Sequence, residues 1–247
     1  MSDTFKNKRA LVTGGSRGIG AAIVKRLASE GANVALTYTS SPDQANSVVH
    51  LAQSYGVQAI AIQADSADAT AVVAAVEKTV ATLGGIDILV NNAGVLALGA
   101  IDDFSLADFD RTFAVNVRAV FVATQAAVKH MQPGGRIINI GSTNAERMPF
   151  AGGSAYAMSK SALQGLVKGI ARDLGSRGIT INNVQPGPIA TDMNPPDGAS
   201  AEMLTKLMAI PHFGNVEDIA GMVAYLASPE AGFVTGASLM IDGGFSA

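Results

Sequence analysis

Tyr156 and Lys160 stand four positions apart in a run of small residues from Gly152 to Gly165, in a chain with four tyrosines and no tryptophan. If the run is helical, that spacing puts phenol and ammonium on one face. A lysine cation beside a phenol favours tyrosinate and lowers the tyrosine pKa. A phenol tuned in this way can give a proton to a substrate oxygen or take one from it. Ser142 ends a β-branched run upstream and offers a hydroxyl to the same oxygen. Asn116 interrupts the apolar stretch Phe113 to Arg118, where asparagine is a poor helix former. It is either a buried amide that holds a water in a proton path or an ordinary asparagine bonded to backbone. Spacing alone is also satisfied by a helix whose tyrosine packs and whose lysine is solvated, so the rest of the chain has to decide.

A second constellation lies near the N-terminus. Gly14, Gly18 and Gly20, with Ser16, Arg17 and Ile19 among them, straddle a strand-to-helix turn. Glycines there let backbone N–H groups approach a pyrophosphate at the helix N-terminus. An acid about 20 positions further on would bind a ribose 2′-hydroxyl and repel a 2′-phosphate. That region instead reads Thr37, Tyr38, Thr39, Ser40, Ser41, with no acid until Asp43. Its hydroxyls can donate to phosphate and Arg17 can supply the countercharge, which favours NADP(H) over NAD(H). The alternative for Arg17 is a solvated loop cation. At the end of the third strand, Ala64, Asp65 and Ser66 offer a carboxylate either to an adenine amine or to the cap of the next helix. Asn92, Ala93 and Gly94 follow the fourth strand, where small residues suit close backbone approach to a ligand.

The elements that must position these groups alternate in type. Apolar runs at 10–13, 33–38, 59–62, 87–90, 136–140, 179–184 and 238–241 read as strands. Amphipathic runs at 18–30, 42–55, 68–83, 105–113, 115–131 and 154–176 read as helices. Strands apolar throughout, separated by helices, predict an α/β fold with a parallel, doubly wound sheet covered on both faces. One domain spans 1–247. The irregular stretch Pro186 to Ser200, rich in proline and glycine, follows the sixth strand. Ligands of such sheets sit at strand carboxyl ends, so the region 186–212 is expected to form a substrate loop or lid.

Composition narrows the class. Apolar residues make up 48% and charged residues 15%, enough for a large core. A net charge of −3 argues against a general attraction to nucleic acid or anionic membrane. With no cysteine and three scattered histidines, no metal site is expected. The absence of an apolar leader or a membrane-length apolar run predicts a cytoplasmic protein.

The motifs Thr13-Gly14-x-x-x-Gly18-x-Gly20, Asn91-Asn92-Ala93-Gly94, Asn116, Ser142, Tyr156-x-x-x-Lys160 and Pro186-Gly187, in this order, resemble those of the short-chain dehydrogenase/reductase family over nearly the whole chain. That resemblance implies a Rossmann-type seven-stranded sheet of order 3-2-1-4-5-6-7. It implies a catalytic tetrad of Asn116, Ser142, Tyr156 and Lys160, with Tyr156 as general acid and Asn116 holding a relay water. Asp65 and Ser66 resemble an adenine site, Ile189 and Thr191 a nicotinamide carboxamide site. Within the family the chain is similar to 3-oxoacyl-acyl-carrier-protein reductases and ketoreductases, and its tail to a cyclic-di-GMP-binding biofilm-dispersal subgroup. The substrate implied is a small carbonyl compound, including one linked to a carrier protein or coenzyme A; the alternative is a module that binds a dinucleotide signal in the same pocket. The resemblance also implies a homotetramer packed through the helices at 115–131 and 154–176, the second of which carries small residues such as Gly165 and Gly169. Finally, Arg147 is expected to overhang the pocket mouth and hold an anionic substrate group, with Met193, Met203, Leu204 and Met208 forming an apolar wall.

Overall fold

The computed structural model describes residues 3–198 and 200–247. Its seven strands are β1 (Arg9–Val12), β2 (Asn33–Tyr38), β3 (Ala59–Gln63), β4 (Ile88–Asn91), β5 (Arg136–Ile140), β6 (Thr180–Pro186) and β7 (Ser238–Ile241). All pair in parallel in the order β3-β2-β1-β4-β5-β6-β7, as expected for a Rossmann-type sheet. The helices are α1 (Gly18–Ser29), α2 (Pro42–Gln53), α3 (Ala69–Leu83), α4 (Leu106–Phe113), α5 (Ala119–Ala127), α6 (Ser154–Gly175), α7 (Ala201–Lys206) and α8 (Val216–Ala227).

Alternation along the strands divides the core. Val12, Leu36, Val90, Ile138 and Val184 face α1, α2 and α8. Leu11, Ala35, Leu89, Ile137 and Ile181 face α3, α5 and α6. The strand order reverses between β1 and β4, which opens a crevice at the strand carboxyl ends, because the helices that follow these two strands pack on opposite faces.

Three elements depart from the sequence reading. β6 runs through Pro186, because Gln185 and Pro186 pair in register with Met240 and Ile241; a proline at a strand's end forfeits little of the ladder. The stretch expected as two helices is one run in which a π-helical turn, Ala114–Arg118, joins α4 to α5. Helix α8 was not anticipated, although its start is written in Asn215 and Asp218: the Asp218 carboxylate accepts the Asn215 N–H at 2.8 Å.

Polar residues cross the buried sheet at one level. Asn91, Asn139, Asn183 and Ser238 occupy matched register positions on β4, β5, β6 and β7. Asn91 donates to Asn139 Oδ1 at 2.9 Å, Asn139 to Asn183 Oδ1 at 3.0 Å, and Asn183 to Ser238 Oγ at 3.1 Å. The three asparagines are almost fully buried. Asn139→Ala leaves a donor of Asn91 and the acceptor of Asn183 without this partner in the interior. It should therefore reduce stability by about 2–4 kcal/mol in urea unfolding. A loss below about 0.5 kcal/mol, the level of an ordinary surface change, would show that the ladder carries no stability.

Candidate active site

The crevice is a cleft of about 900 Å³. Its first wall is the turn between β1 and α1. Gly14 and Gly18 both adopt positive φ, at 63° and 53°. A Cβ on Gly20 would lie 2.3 Å from the Gly14 carbonyl oxygen, so only glycine fits there. Asn92 braces the turn by donating to the Thr13 and Gly14 carbonyls at 2.9 and 3.0 Å. Thr37 Oγ1 accepts the Gly14 N–H at 3.0 Å. Such a cradle, closed to any side chain and opening on the N-terminus of α1, fits a pyrophosphate.

Arg17 is exposed and lines the cleft beside Tyr38, Thr39, Ser40 and Ser41. Ser16, Ile19, Asp65, Ser66, Asn92, Ala93, Gly94, Pro186, Gly187, Ile189 and Thr191 line it as well. Ala64 does not. It is buried, with its N–H donating to the Tyr38 carbonyl at 2.9 Å. The two readings of Asp65 are separated: Asp68 caps α3 by accepting the Thr70 N–H at 2.8 Å. Asp65 instead accepts the Ala67 N–H at 2.9 Å and faces Arg111 at 3.6 Å.

The second wall brings together the groups singled out for chemistry. Ser142 lies just past the end of β5, and its Oγ accepts the Asn144 N–H at 3.1 Å. Helix α6 presents Tyr156 and Lys160 one turn apart, with Nζ 5.8 Å from the phenol ring centre. The Lys160 ammonium donates to the Ile140 carbonyl at 2.9 Å. No carboxylate is paired with it among the described residues, and burial pushes its pKa down to about 8. The tyrosine departs from expectation in the opposite direction. Desolvation raises its pKa, and a hydrogen bond from Ser142 opposes this only in part. Burial therefore outweighs any lowering by the lysine.

Asn116 sits in the π-helical turn. Its Oδ1 accepts the Val95 N–H at 2.9 Å, and its Nδ2 donates to the Val95 carbonyl and to Ser159 Oγ, each at 3.0 Å. Ser159 in turn donates to the Tyr156 carbonyl at 2.7 Å. Both amide N–H groups are taken by protein partners. The side chain clamps the segment after β4 to Ser159 in the second turn of α6.

The mouth also differs from expectation. Arg147 turns away and donates to the Phe245 carbonyl at 2.8 Å, with its guanidinium 6.0 Å from the Phe245 ring centre. Its neighbour Glu146 accepts from Gln164. Met193, Met203 and Leu204 line the cleft as expected, whereas Met208 is buried behind them. Leu96, Leu98, Phe150 and Phe245 complete the apolar wall. These four had no local motif to mark them, although Phe245 follows a glycine pair after the last strand. Among the described residues no acidic or histidine cluster could hold a metal, and no helix is long and apolar enough to cross a membrane.

A family model described as enoyl-(acyl carrier protein) reductase matches residues 14–246. The chain is 53% identical, over 98% of its length and 99% of the relative's, to the cyclic-di-GMP-binding biofilm dispersal mediator protein of Escherichia coli (strain K12). A solved short-chain dehydrogenase/reductase from Serratia marcescens BCRC 10948 is 62% identical, with a TM-score of 0.98 over 99% of this chain and 100% of that one. A short chain dehydrogenase from Burkholderia cenocepacia J2315, solved in complex with NADP, is 55% identical, with a TM-score of 0.98 and coverage of 99% and 100%.

The depressed lysine has a consequence for stability. Between about 8 and the ordinary value of 10.5, the unfolded chain holds the Lys160 proton and the ligand-free folded chain does not. Stability from this group therefore rises with pH across that window, and the burial penalty is complete below it. The stability of the wild type relative to Lys160→Met, from urea unfolding of ligand-free protein, should climb between about pH 8 and about pH 10.5. A difference that stays flat would mean that the ammonium is not desolvated.

Proposed function

The chain belongs to the short-chain dehydrogenase/reductase family, and from that premise we propose that it is an NADP(H)-dependent oxidoreductase that reduces an apolar ketone to a secondary alcohol. The observation that carries this reading is the convergence of Ser142, Tyr156 and Lys160 on one end of a cleft whose other end is a glycine cradle with Arg17 and the hydroxyls of Tyr38, Thr39, Ser40 and Ser41 beside it. A nicotinamide bound in the cleft supplies the hydride. The chain's residues do the rest. Ser142 donates to the substrate oxygen, and Tyr156 passes its phenolic proton to that oxygen as negative charge develops there. Lys160, held by the Ile140 carbonyl, places a cation near the tyrosinate that results. Its field also favours recovery of the phenol's working range once ligands fill the cleft. Asn116 keeps the segment after β4 and the start of α6 in register, so the proton donor stays aimed.

NADP(H) rather than NAD(H) is supported by the hydroxyl-rich end of β2, by Arg17, and by the NADP complex of the Burkholderia cenocepacia relative. The substrate half of the cleft is apolar, and the cation once expected there is tied to the C-terminal tail. An uncharged ketone with an apolar body is therefore the substrate class; a 3-oxoacyl thioester meets the same description at its reacting end. A homotetramer is supported by the open face of α6, where a Cβ on Gly165 or Gly169 would meet nothing, near the exposed Met158.

A second reading is favoured by the name of the Escherichia coli relative: a cyclic dinucleotide held in the same cleft by Arg17 and Arg111. It predicts that cyclic-di-GMP displaces NADPH, which fluorescence competition distinguishes directly.

Tyr156→Phe should retain NADPH binding and lower ketone turnover by about 10²-fold or more, because the proton donor is gone. Near-wild-type reduction by this variant would remove Tyr156 from the chemistry. Arg17→Ala should weaken NADPH by about 1–3 kcal/mol, the scale of a charge-assisted hydrogen bond, and NADH far less. Titration of both cofactors checks this, and equal weakening of the two would refute the role of Arg17 in selecting the 2′-phosphate.

A further inference from the structure

The residue just past the last strand carries a carboxylate that the chemistry above does not use. Asp242 is 8% exposed and has no cationic partner among the described residues. Its two oxygens accept four hydrogen bonds. Oδ2 takes Thr143 Oγ1 at 2.9 Å, Ser246 Oγ at 2.6 Å and the Ser246 N–H at 3.0 Å. Oδ1 takes the Gly244 N–H at 2.9 Å. Burial works to raise its pKa, but the hydrogen bonds from Ser246, Thr143 and Gly244 prevail and hold it below the usual carboxylate value. The neighbouring strand leaves room for this group only by lacking a side chain: a Cβ on Gly187 would lie 2.6 Å from the Asp242 Cα.

We propose that Asp242 is a positioning residue that ties the C-terminal tail to the loop carrying Ser142 and, through the tail, seats the lid over the substrate end of the cleft. The inference rests on the oxidoreductase reading above. One arm of the hub reaches the site through Thr143. That residue follows Ser142, and Asn144 beyond it donates its N–H to Ser142 Oγ. A shift of Thr143 therefore moves the hydroxyl that meets the substrate. The other arm reaches the lid. Gly243 accepts the Ile210 N–H at 2.8 Å, just past α7. Phe245 is buried against Leu204 and Met208 while forming part of the cleft wall. Arg147 adds a second tie between the serine loop and the tail through the Phe245 carbonyl. A carboxylate suits this hub because every group around it is a donor; an amide of the same shape would turn one of its own donors toward them.

Asp242→Asn preserves size and tests the charge. With an apolar ketone and NADPH, kcat should fall and KM should rise, each about tenfold, while the Kd for NADPH stays within about twofold. The single-arm variants separate the effects. Thr143→Val should act mainly on kcat and Ser246→Ala mainly on KM, and these two decide the matter if Asp242→Asn does not fold. Hydrogen–deuterium exchange gives a readout independent of turnover: in Asp242→Asn, exchange should speed up in segments 143–147 and 201–210 and stay unchanged in β1 and β4. That measurement still decides the coupling if the wild type reduces no carbonyl compound, an outcome that would count against the proposed function alone. Unchanged exchange in both segments would overturn the proposal. So would kinetic constants of the folded variant within about twofold of wild type, since a purely structural carboxylate lowers the melting temperature without moving kcat or KM.

Discussion

Hydrogen bonds running sideways through the buried amides of Asn91, Asn139 and Asn183 hold the register on which the site depends. Side chains on a strand alternate between faces, so a slip of one residue would carry these amides into the layer occupied by Val90, Ile138 and Val184. There they would meet the apolar faces of α1 and α8 and lose their partners. An unpaired amide in the interior is far more costly than a mismatched methyl group, so the ladder selects one alignment of β4, β5, β6 and β7. The elements that line the crevice leave the carboxyl ends of those strands. Asn92, Ser142, Gly187 and Asp242 all follow within a few residues of a ladder position, and their relative heights descend from it.

From that base the two walls of the cleft are built by different physics. The cofactor wall is mostly backbone. Its shape comes from close approach at Gly20 and from braces donated by Asn92, so it can bind an anion through N–H groups with little side-chain motion. The chemical wall is mostly buried side chains under strained electrostatics. Lys160 is desolvated with no carboxylate partner among the described residues, and Tyr156 is pushed toward its neutral form. A site in this condition gains from ligands that bring negative charge to the lysine.

The substrate end follows a third pattern. Methionine, leucine and phenylalanine from α7, the loops after β4 and β5, and the C-terminal tail meet there in an apolar wall, with Arg111 and Asp192 also lining the cleft. These segments come from distant parts of the chain and are joined by polar ties placed behind the wall. Arg147 and Asp242 are both such ties, and each directs its charge at backbone or hydroxyl groups away from the cleft. These two charges thus help to fix the wall from behind.

The fold and the core of the site were legible in the residues themselves. Alternating apolar runs and amphipathic runs dictate a parallel, doubly wound sheet. The glycine spacing, Ser142 and the four-residue interval between Tyr156 and Lys160 are local patterns whose geometry is set within one turn or one helix. What the tertiary structure alone decided depends on partners far away in sequence. Asn116 acts as a clamp because Val95 and Ser159 arrive on either side of it. Ala64 is buried because its N–H meets the Tyr38 carbonyl of β2, and Arg147 leaves the pocket because Phe245 comes back across it. The direction of the Tyr156 shift was misjudged for the same reason. Spacing reports that a lysine is near, whereas burial, which outweighs it here, is a property of everything packed around the phenol.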